Sequence, residues 1–288
     1  MNWLNALVQG ILLGGLYALF ACGLSLMFGV MRIVNLAHGD FAVLAAFGAY
    51  LVISSTPLGT LAATVVVIPL FALLGYVLQR GLIQRALTVG PLSTLLVTFG
   101  LSIIIQNLLL QAFSADTRSL PAGSLASASL RLSGQISVSY LAVLTFALAV
   151  VVLLGLQGFL SRTALGRMLR ATSDDREAAS LVGADTRHVY AVATAIAFAT
   201  VALAGLLFAM RSSFDPSIGP TRLLFAFEAV VIGGLGSLWG TLVGGMVLGL
   251  AQTLGAQIDP ALTLLGGHLI FLAVLAFRPQ GLIAARSG

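Results

Sequence analysis

There is no lysine in this chain; all 14 positive charges are arginines. A Walker A phosphate loop needs its lysine to reach the nucleotide phosphates, so the chain carries none and does not hydrolyse ATP by itself. Cysteine is nearly absent as well. Cys22 alone permits no internal disulfide and no cysteine metal cluster, and it reads as a small packing residue. Charge of either sign is scarce, at 8% of residues against roughly 25% in soluble domains. Neither His-Glu-x-x-His nor Gly-x-Ser-x-Gly occurs, which removes the common zinc-hydrolase and nucleophile-elbow chemistries. Gly234-Leu235-Gly236-Ser237-Leu238-Trp239-Gly240 matches a dinucleotide fingerprint only in part, since its last spacing is wrong and no strand precedes it. No catalytic residue, metal ligand or cofactor follows from the sequence.

What the chain has instead is apolar surface: 59% hydrophobic residues, 32 glycines and a mean hydropathy of +1.08. Uncharged runs cover 1 to 31, 41 to 79, 86 to 115, 132 to 161, 188 to 210, 229 to 258 and 260 to 277. One helical crossing takes about 20 residues. The run from 41 to 79 therefore holds two, divided at the turn cluster Ser54-Ser55-Thr56-Pro57-Leu58-Gly59. The runs are apolar all round rather than alternating, which excludes a β-barrel. The expectation is an all-α, polytopic transmembrane helix bundle, a single domain over 1 to 288 with about nine crossings, eight to ten being compatible. They fall near 7 to 30, 35 to 53, 60 to 79, 92 to 112, 139 to 160, 188 to 210, 223 to 238, 240 to 258 and 261 to 277. The Gly-rich part from 223 to 258 also fits a re-entrant segment. Leu19-Phe20-Ala21-Cys22-Gly23 resembles a lipoprotein cleavage site, but no basic residue precedes it and the apolar run continues to Val30, so a retained first helix is expected.

Arginine bias sets the orientation. Placing Arg32, Arg80, Arg85, the arginines from 162 to 187, Arg278 and Arg286 inside leaves Arg118, Arg131, Arg211 and Arg222 outside. This puts the N-terminus outside and the C-terminus in the cytoplasm. The pI near 10.1 then reflects inner-loop arginines facing anionic membrane lipid, not nucleic acid.

Five of those arginines and four of the nine acids lie between Arg162 and Arg187, an island between apolar runs. Thr172 and Ser173 are N-cap types, Thr172 and Asp175 have capping-box spacing, and Asp174, Asp175 and Glu177 suit a first turn. Ala178, Leu181 and Val182 share one face, and Gly183 supplies a left-handed stop. The expected product is a short amphipathic helix whose apolar face is too small to anchor in lipid. It suits a groove on another protein, or is an ordinary surface helix of an inner loop.

Here the chain resembles a family. Glu177-Ala178-Ala179, three residues and Gly183, in the longest inner loop, resemble the motif by which permease subunits of ABC importers engage their ATPases; the usual Ile-x-Leu-Pro continuation is absent. Asn35-Leu36-Ala37-His38-Gly39-Asp40, Gly166-Arg167, Arg170-Ala171, Asp174-Asp175, Ala204-Gly205 and Gly233-Gly234-Leu235-Gly236-Ser237 are similar to LivH-type permeases of branched-chain amino acid importers. The resemblance runs from about residue 5 to 284. It implies an ATP-driven importer in the cytoplasmic (inner) membrane of a bacterium. Its other parts would be a LivM-type second permease, two cytoplasmic ATPase subunits and an external solute-binding protein. Residues 161 to 187 would form the cytoplasmic coupling loop, with Glu177, Ala178, Ala179, Leu181 and Gly183 engaging the ATPase. Branched-chain or other hydrophobic amino acids are the implied substrates, with urea, amides and aromatic acids as alternatives.

Ionisable and polar groups inside the bilayer are functional candidates. Asn35, His38 and Asp40 begin the second helix, with His38 one turn from Asn35. They either share a cavity on the pathway or form a hydrogen-bonded corner just inside the interface, Arg32 pairing with Asp40. Glu228 lies six residues, or about 9 Å of helical rise, beyond Arg222, and either pairs with an arginine or lines the pathway. Gln106 and Asn107 are interhelical glue or pathway residues. His188 and His268 read as structural. Asp40 to Gly48 aligns without gaps to Glu228 to Gly236, as an inverted repeat would. Gly236, Gly240 and Gly244, with Gly245 and Gly249, have the spacing of close helix packing. The outer loop from 113 to 138 is a landing place for the binding protein or plain solvated chain. The rival function is an autonomous proton-coupled secondary transporter or channel for small polar solutes, working through His38, Asp40 and Glu228.

Overall fold

A computed structural model describes residues 3–123, 125, 128–133 and 136–283; Arg286 lies outside them. Helices dominate. They are α1 (Trp3–Met31), α2 (His38–Ser55), α3 (Thr60–Leu78), a π-helical turn (Gln79–Ile83), α4 (Gln84–Val89) and α5 (Pro91–Phe113). A hairpin of β1 (Ser129–Ser133) and β2 (Ile136–Ser139) precedes α6 (Tyr140–Arg162), α7 (Ala164–Asp174) and α8 (Arg176–Leu181). The rest comprises α9 (Thr186–Arg211), α10 (Gly219–Gly233), α11 (Leu238–Ile258) and α12 (Leu262–Phe277). The bundle has an island end, bearing Arg32, α7 and α8, and a hairpin end.

Among the described residues, seven helices are long and apolar enough to cross a membrane: α1, α2, the continuous helix Thr60–Val89, α5, α6, α9 and α11. The expected crossings at 223 to 238 and 261 to 277 are instead the 15-residue α10 and 16-residue α12. They reach about 22 and 24 Å, short of the ~30 Å hydrocarbon layer.

Hydrophobicity does not separate core from periphery here, because nearly every helix is apolar all round. A high content of small residues marks the central helices. The buried pair α1 and α9 carries Ala6, Gly10, Gly14, Gly15, Ala18 and Ala21, and Ala191, Ala193, Ala197, Ala202, Ala204 and Gly205. Small residues let helix backbones approach, and van der Waals contact is what holds helices together in lipid. The outer helices α3, α5 and α6 present Leu, Val, Ile and Phe to the surroundings; only 22–28% of their most apolar windows is buried, against 78% and 72% in α1 and α9.

The glycine pairs that make the closest contact only partly match the expected ladder. Gly10 and Gly14 of α1 meet Gly249 and Gly245 of α11 backbone to backbone, so these two helices run antiparallel. Gly240 and Gly244 of α11 face Gly233 and Ala229 of α10 instead. Gly236 is not in a helix at all. It occupies the turn between α10 and α11 at φ +80°, with Gly234 at φ +113°, positions that disfavour any side chain. Gly48, which the sequence echo aligns with Gly236, lies instead inside α2. The segment 278 to 283 returns to this turn, Leu282 and Ile283 donating to the carbonyls of Ile232 and Gly233 at 2.8 and 2.9 Å.

Among its described residues, the loop from 113 to 138 contains a hairpin where plain solvated chain was one expectation. β1 and β2 pair antiparallel, Leu130 opposite Val138. The amide and carbonyl of Arg118 exchange 2.8 Å bonds with those of Phe214, tying the loop to the α9–α10 connection. The alternation in Ser129-Leu130-Arg131-Leu132-Ser133 and Ile136-Ser137-Val138-Ser139 was the available signal for these strands.

Candidate functional site: a helix break deep in the bundle

α1 ends with Arg32 in the left-handed region at φ 55°, which reverses the chain. Residues 32 to 37 then run back into the bundle. By residue 38 the chain has climbed to the level of Phe20, whose carbonyl bonds the His38 Nε2 at 2.9 Å. Phe20 is eleven residues before the end of α1, about 16 Å by helical rise. The amide of Leu36 donates to Thr98 Oγ1 of α5 on the way. Thus α2 starts deep in the bundle and not, as expected, at a corner just inside the interface. Non-helical backbone at such depth is tolerated where protein satisfies its polar groups.

Here the polar residues flagged from sequence separate into those that assemble and those that do not. Asn35, His38 and Asp40 are each at most 1% exposed. Asn35 Oδ1 accepts from the Ala37 amide, shaping the entry to α2. Asp40 does not pair with Arg32, which is exposed at the island end; its Oδ1 accepts from Gln106 Nε2 at 3.0 Å, and Gln106 also donates to Ser102. Asn107 faces outward and donates to the Ile103 carbonyl of its own helix, so it takes no part.

A second helix N-terminus meets the first. α10 begins at Gly219, and its start lies against that of α2: a Cβ on Gly39 would strike the Gly219 carbonyl, and one on Gly219 the Asp40 carboxylate. Neither N-terminus has a side-chain cap. From this junction α2 runs to the hairpin end, where Tyr50 meets Arg118, while α10 runs to the island end. Two helices diverging from one deep point, with positive dipole ends facing inward, form a device suited to a polar or anionic solute inside a membrane.

One flank of α10 carries a second polar group. Glu228 is buried and pairs with His268 of α12, rather than with Arg222 as one expectation had it. His268 is therefore the hydrogen-bond partner of Glu228 in this structure and not a lone histidine. Arg222 instead lies over the Phe208 and Phe225 rings, 4.1 and 5.5 Å from their centroids. Tyr17 of α1 packs on Phe225 and donates to Gln252 of α11. The sequence reading missed Tyr17, Gln252 and the partnership of His268. An ionisable residue in an apolar helix needs a partner, which was the signal, but only folding shows which helix brings it.

The island folds as two helices, not one. Thr172 and Ser173 belong to the last turn of α7, Ser173 Oγ donating to the Gly29 carbonyl at the end of α1. The N-cap of α8 is Asp175, whose side chain accepts from the amides of Glu177 and Ala178 at 2.9 and 3.0 Å. At the other end Gly183 has φ +89°, its amide bonding the Ser180 carbonyl and that of Ala184 the Ala179 carbonyl. This is the six-to-one and five-to-two pattern of a glycine-stopped helix. Leu181 and Val182 are 88% and 84% exposed, Glu177 and Ala178 are exposed, and Ala179 alone turns inward. Arg176 lies over the Tyr190 ring, fastening α8 to α9.

The family model for the branched-chain amino acid transport system permease component matches residues 6–276. The chain is 30% identical over 296 residues to BraD of Pseudomonas aeruginosa, a high-affinity branched-chain amino acid transport system permease protein, covering 98% of this chain and 96% of that one. It is 26% identical over 303 residues to LivH of Escherichia coli, with the same coverage. A 130-residue stretch is 31% identical to LivM of Escherichia coli, covering 43% of this chain and 29% of LivM. With seven apolar spans and a match over nearly its whole length, the chain is a multi-pass membrane protein belonging to the branched-chain amino acid transport system permease family.

Proposed function

We propose that this chain is one of two membrane-spanning subunits of an ATP-driven importer in the inner membrane, carrying branched-chain or similar hydrophobic amino acids. It has no ATPase site of its own. Its partners are two cytoplasmic ATPase subunits, a LivM-type permease and an external binding protein. The stretch alignable to LivM supports a pair of related permeases. The N-terminus and the hairpin lie outside and the island lies in the cytoplasm, as the arginine bias favours.

The single observation that carries this reading is α8. It is capped at both ends, held to the bundle through Arg176 and the buried Ala179, and presents Leu181 and Val182 almost fully to solvent. Exposed aliphatic side chains on a rigid knob within the coupling loop, 161 to 187, suit a hydrophobic groove on an ATPase. Glu177, Ala178, Leu181 and Gly183 form or shape the contacting surface, and Ala179 anchors it from inside. Closure of the ATPases would then move α8 and, through α7 and Ser173, the end of α1. The solute passes along the break between α2 and α10, where Asn35, His38, Asp40 and Gln106 gather, with Glu228 nearer the island end.

Reconstitution tests this. Leucine uptake into proteoliposomes should require internal ATP, the ATPases and the binding protein. Uptake by this chain alone on a proton gradient would overturn the reading and move the mechanism to Asp40, His38 and Glu228.

A further inference from the structure

The π-helical turn Gln79–Ile83 puts an extra residue into the helix that leaves the bundle at the island end, and such bulges mark functional positions more often than chance. Here the bulge opens a cavity of about 300 Å³ lined by Arg80, Gln84, Arg85, Thr88 and Arg187. Three arginines line it. A carboxylate that acts on Arg80 is Asp185, which is engaged in capping α9 through the amides of Arg187 and His188. Arg80 is held in place by its 3.1 Å bond to the Tyr76 hydroxyl, itself bonded to His188. Thr88 spends its hydroxyl proton on the Arg85 carbonyl.

The bulge also carries a strained polar group. Gln84 is 94% buried, yet neither its side-chain oxygen nor its nitrogen has a partner. Both atoms are closed off from a water-sized probe, so an occupant of the cavity does not reach them, and the unsatisfied amide is a free-energy cost of the bulge itself. After Asp185 is counted, the arginines leave a surplus of about two positive charges, more than enough to hold the single negative charge of a phosphodiester headgroup. The neighbouring Leu82, Val89 and Leu92 are exposed apolar side chains, suited to acyl chains beside the headgroup.

We propose that this cavity binds a phosphate anion, with the headgroup of an anionic phospholipid as its occupant. The site abuts Arg187 and Asp185, at the hinge between the coupling loop and α9, so lipid charge would steady the segment that carries α8. The proposal is independent of which solute the chain transports.

Native mass spectrometry of the detergent-purified full chain tests it, with phosphatidylglycerol, phosphatidylcholine or inorganic phosphate added separately. Phosphatidylglycerol should be retained in preference to phosphatidylcholine. Retention should fall about tenfold in the Arg85→Gln, Arg187→Gln double variant, on losing two charge-assisted contacts. The Arg85→Lys, Arg187→Lys variant should keep most of the preference, which separates lost charge from lost fold. An arginine-dependent rise in melting temperature with inorganic phosphate, without lipid preference, would overturn the lipid as occupant. Equal retention of phosphatidylglycerol by wild type and the Gln variant would overturn the site.

Discussion

Asp40 shows how much one buried residue depends on its neighbours. One carboxylate oxygen accepts from Gln106; the other has no partner although the residue is 1% exposed. Gln106→Leu therefore removes a side-chain donor from that group, and weakening the satisfaction of a buried acceptor costs about 1–3 kcal/mol. A lowered melting temperature in detergent is expected; an unchanged one would mean the bond contributes nothing. Gly219 makes a sharper case, because an added methyl would occupy the place of the Asp40 carboxylate. Gly219→Ala should reduce folded yield or transport far more than alanine at Gly59, which has open space around it. Equal yield and uptake for the two variants would show that the α2–α10 junction is looser than described. The sequence alone nominated Asn35, His38, Asp40 and Gln106, since polar groups in apolar runs stand out. It did not separate Gln106 from Asn107, adjacent residues that a helix points in different directions.

At the scale of elements, the coupling helix and the glycine packing carry the predictions. Gly183 sits at φ +89°, where a β-branched residue is strained. Gly183→Val should leave insertion intact, let the assembled ATPases hydrolyse ATP, and abolish uptake; coupled uptake at wild-type rate would count against the knob. Asp175→Ala deletes the cap of α8 and should destabilise it by about 1 kcal/mol, visible as faster amide exchange over 176 to 184. No change in exchange there would show that contacts to α9 alone hold the helix. Capping and stop chemistry were readable because they are local. The assignment to Thr172 and Ser173 went to Asp175 because α7 extends further than its sequence announces. Tertiary contacts, Ser173 with Gly29 and the buried Leu169 and Thr172, favour that extra turn. The same reason explains the glycines: spacing suggested packing, but only the fold assigned Gly245 and Gly249 to α1, Gly240 and Gly244 to α10, and Gly236 to a turn.

For the whole molecule, orientation is tested by labelling, and the chain provides its own control. Cys22 is fully buried and should not react with a membrane-impermeant thiol reagent. A cysteine placed at Val182, on α8, should be labelled only from the cytoplasmic face, and one at Leu58, between α2 and α3, only from outside. The reverse pattern would invert the topology and remove the coupling proposal with it.

Composition and hydropathy by themselves determined the solvent this chain folds in, the helical class and most of the spans, because the bilayer forces every exposed backbone group into internal hydrogen bonds. Local residue patterns added the stopped helix at 176 to 183. What only the tertiary structure decided is depth and partnership. It set α2 back by about 16 Å to begin beside Phe20, shortened α10 and α12, and brought His268 to Glu228 and Gln106 to Asp40. In lipid, helices that are uniformly apolar have no hydrophobic face to orient them. Which faces meet is therefore fixed by small-residue contact and paired polar groups across many residues of sequence, and a linear pattern does not carry that information.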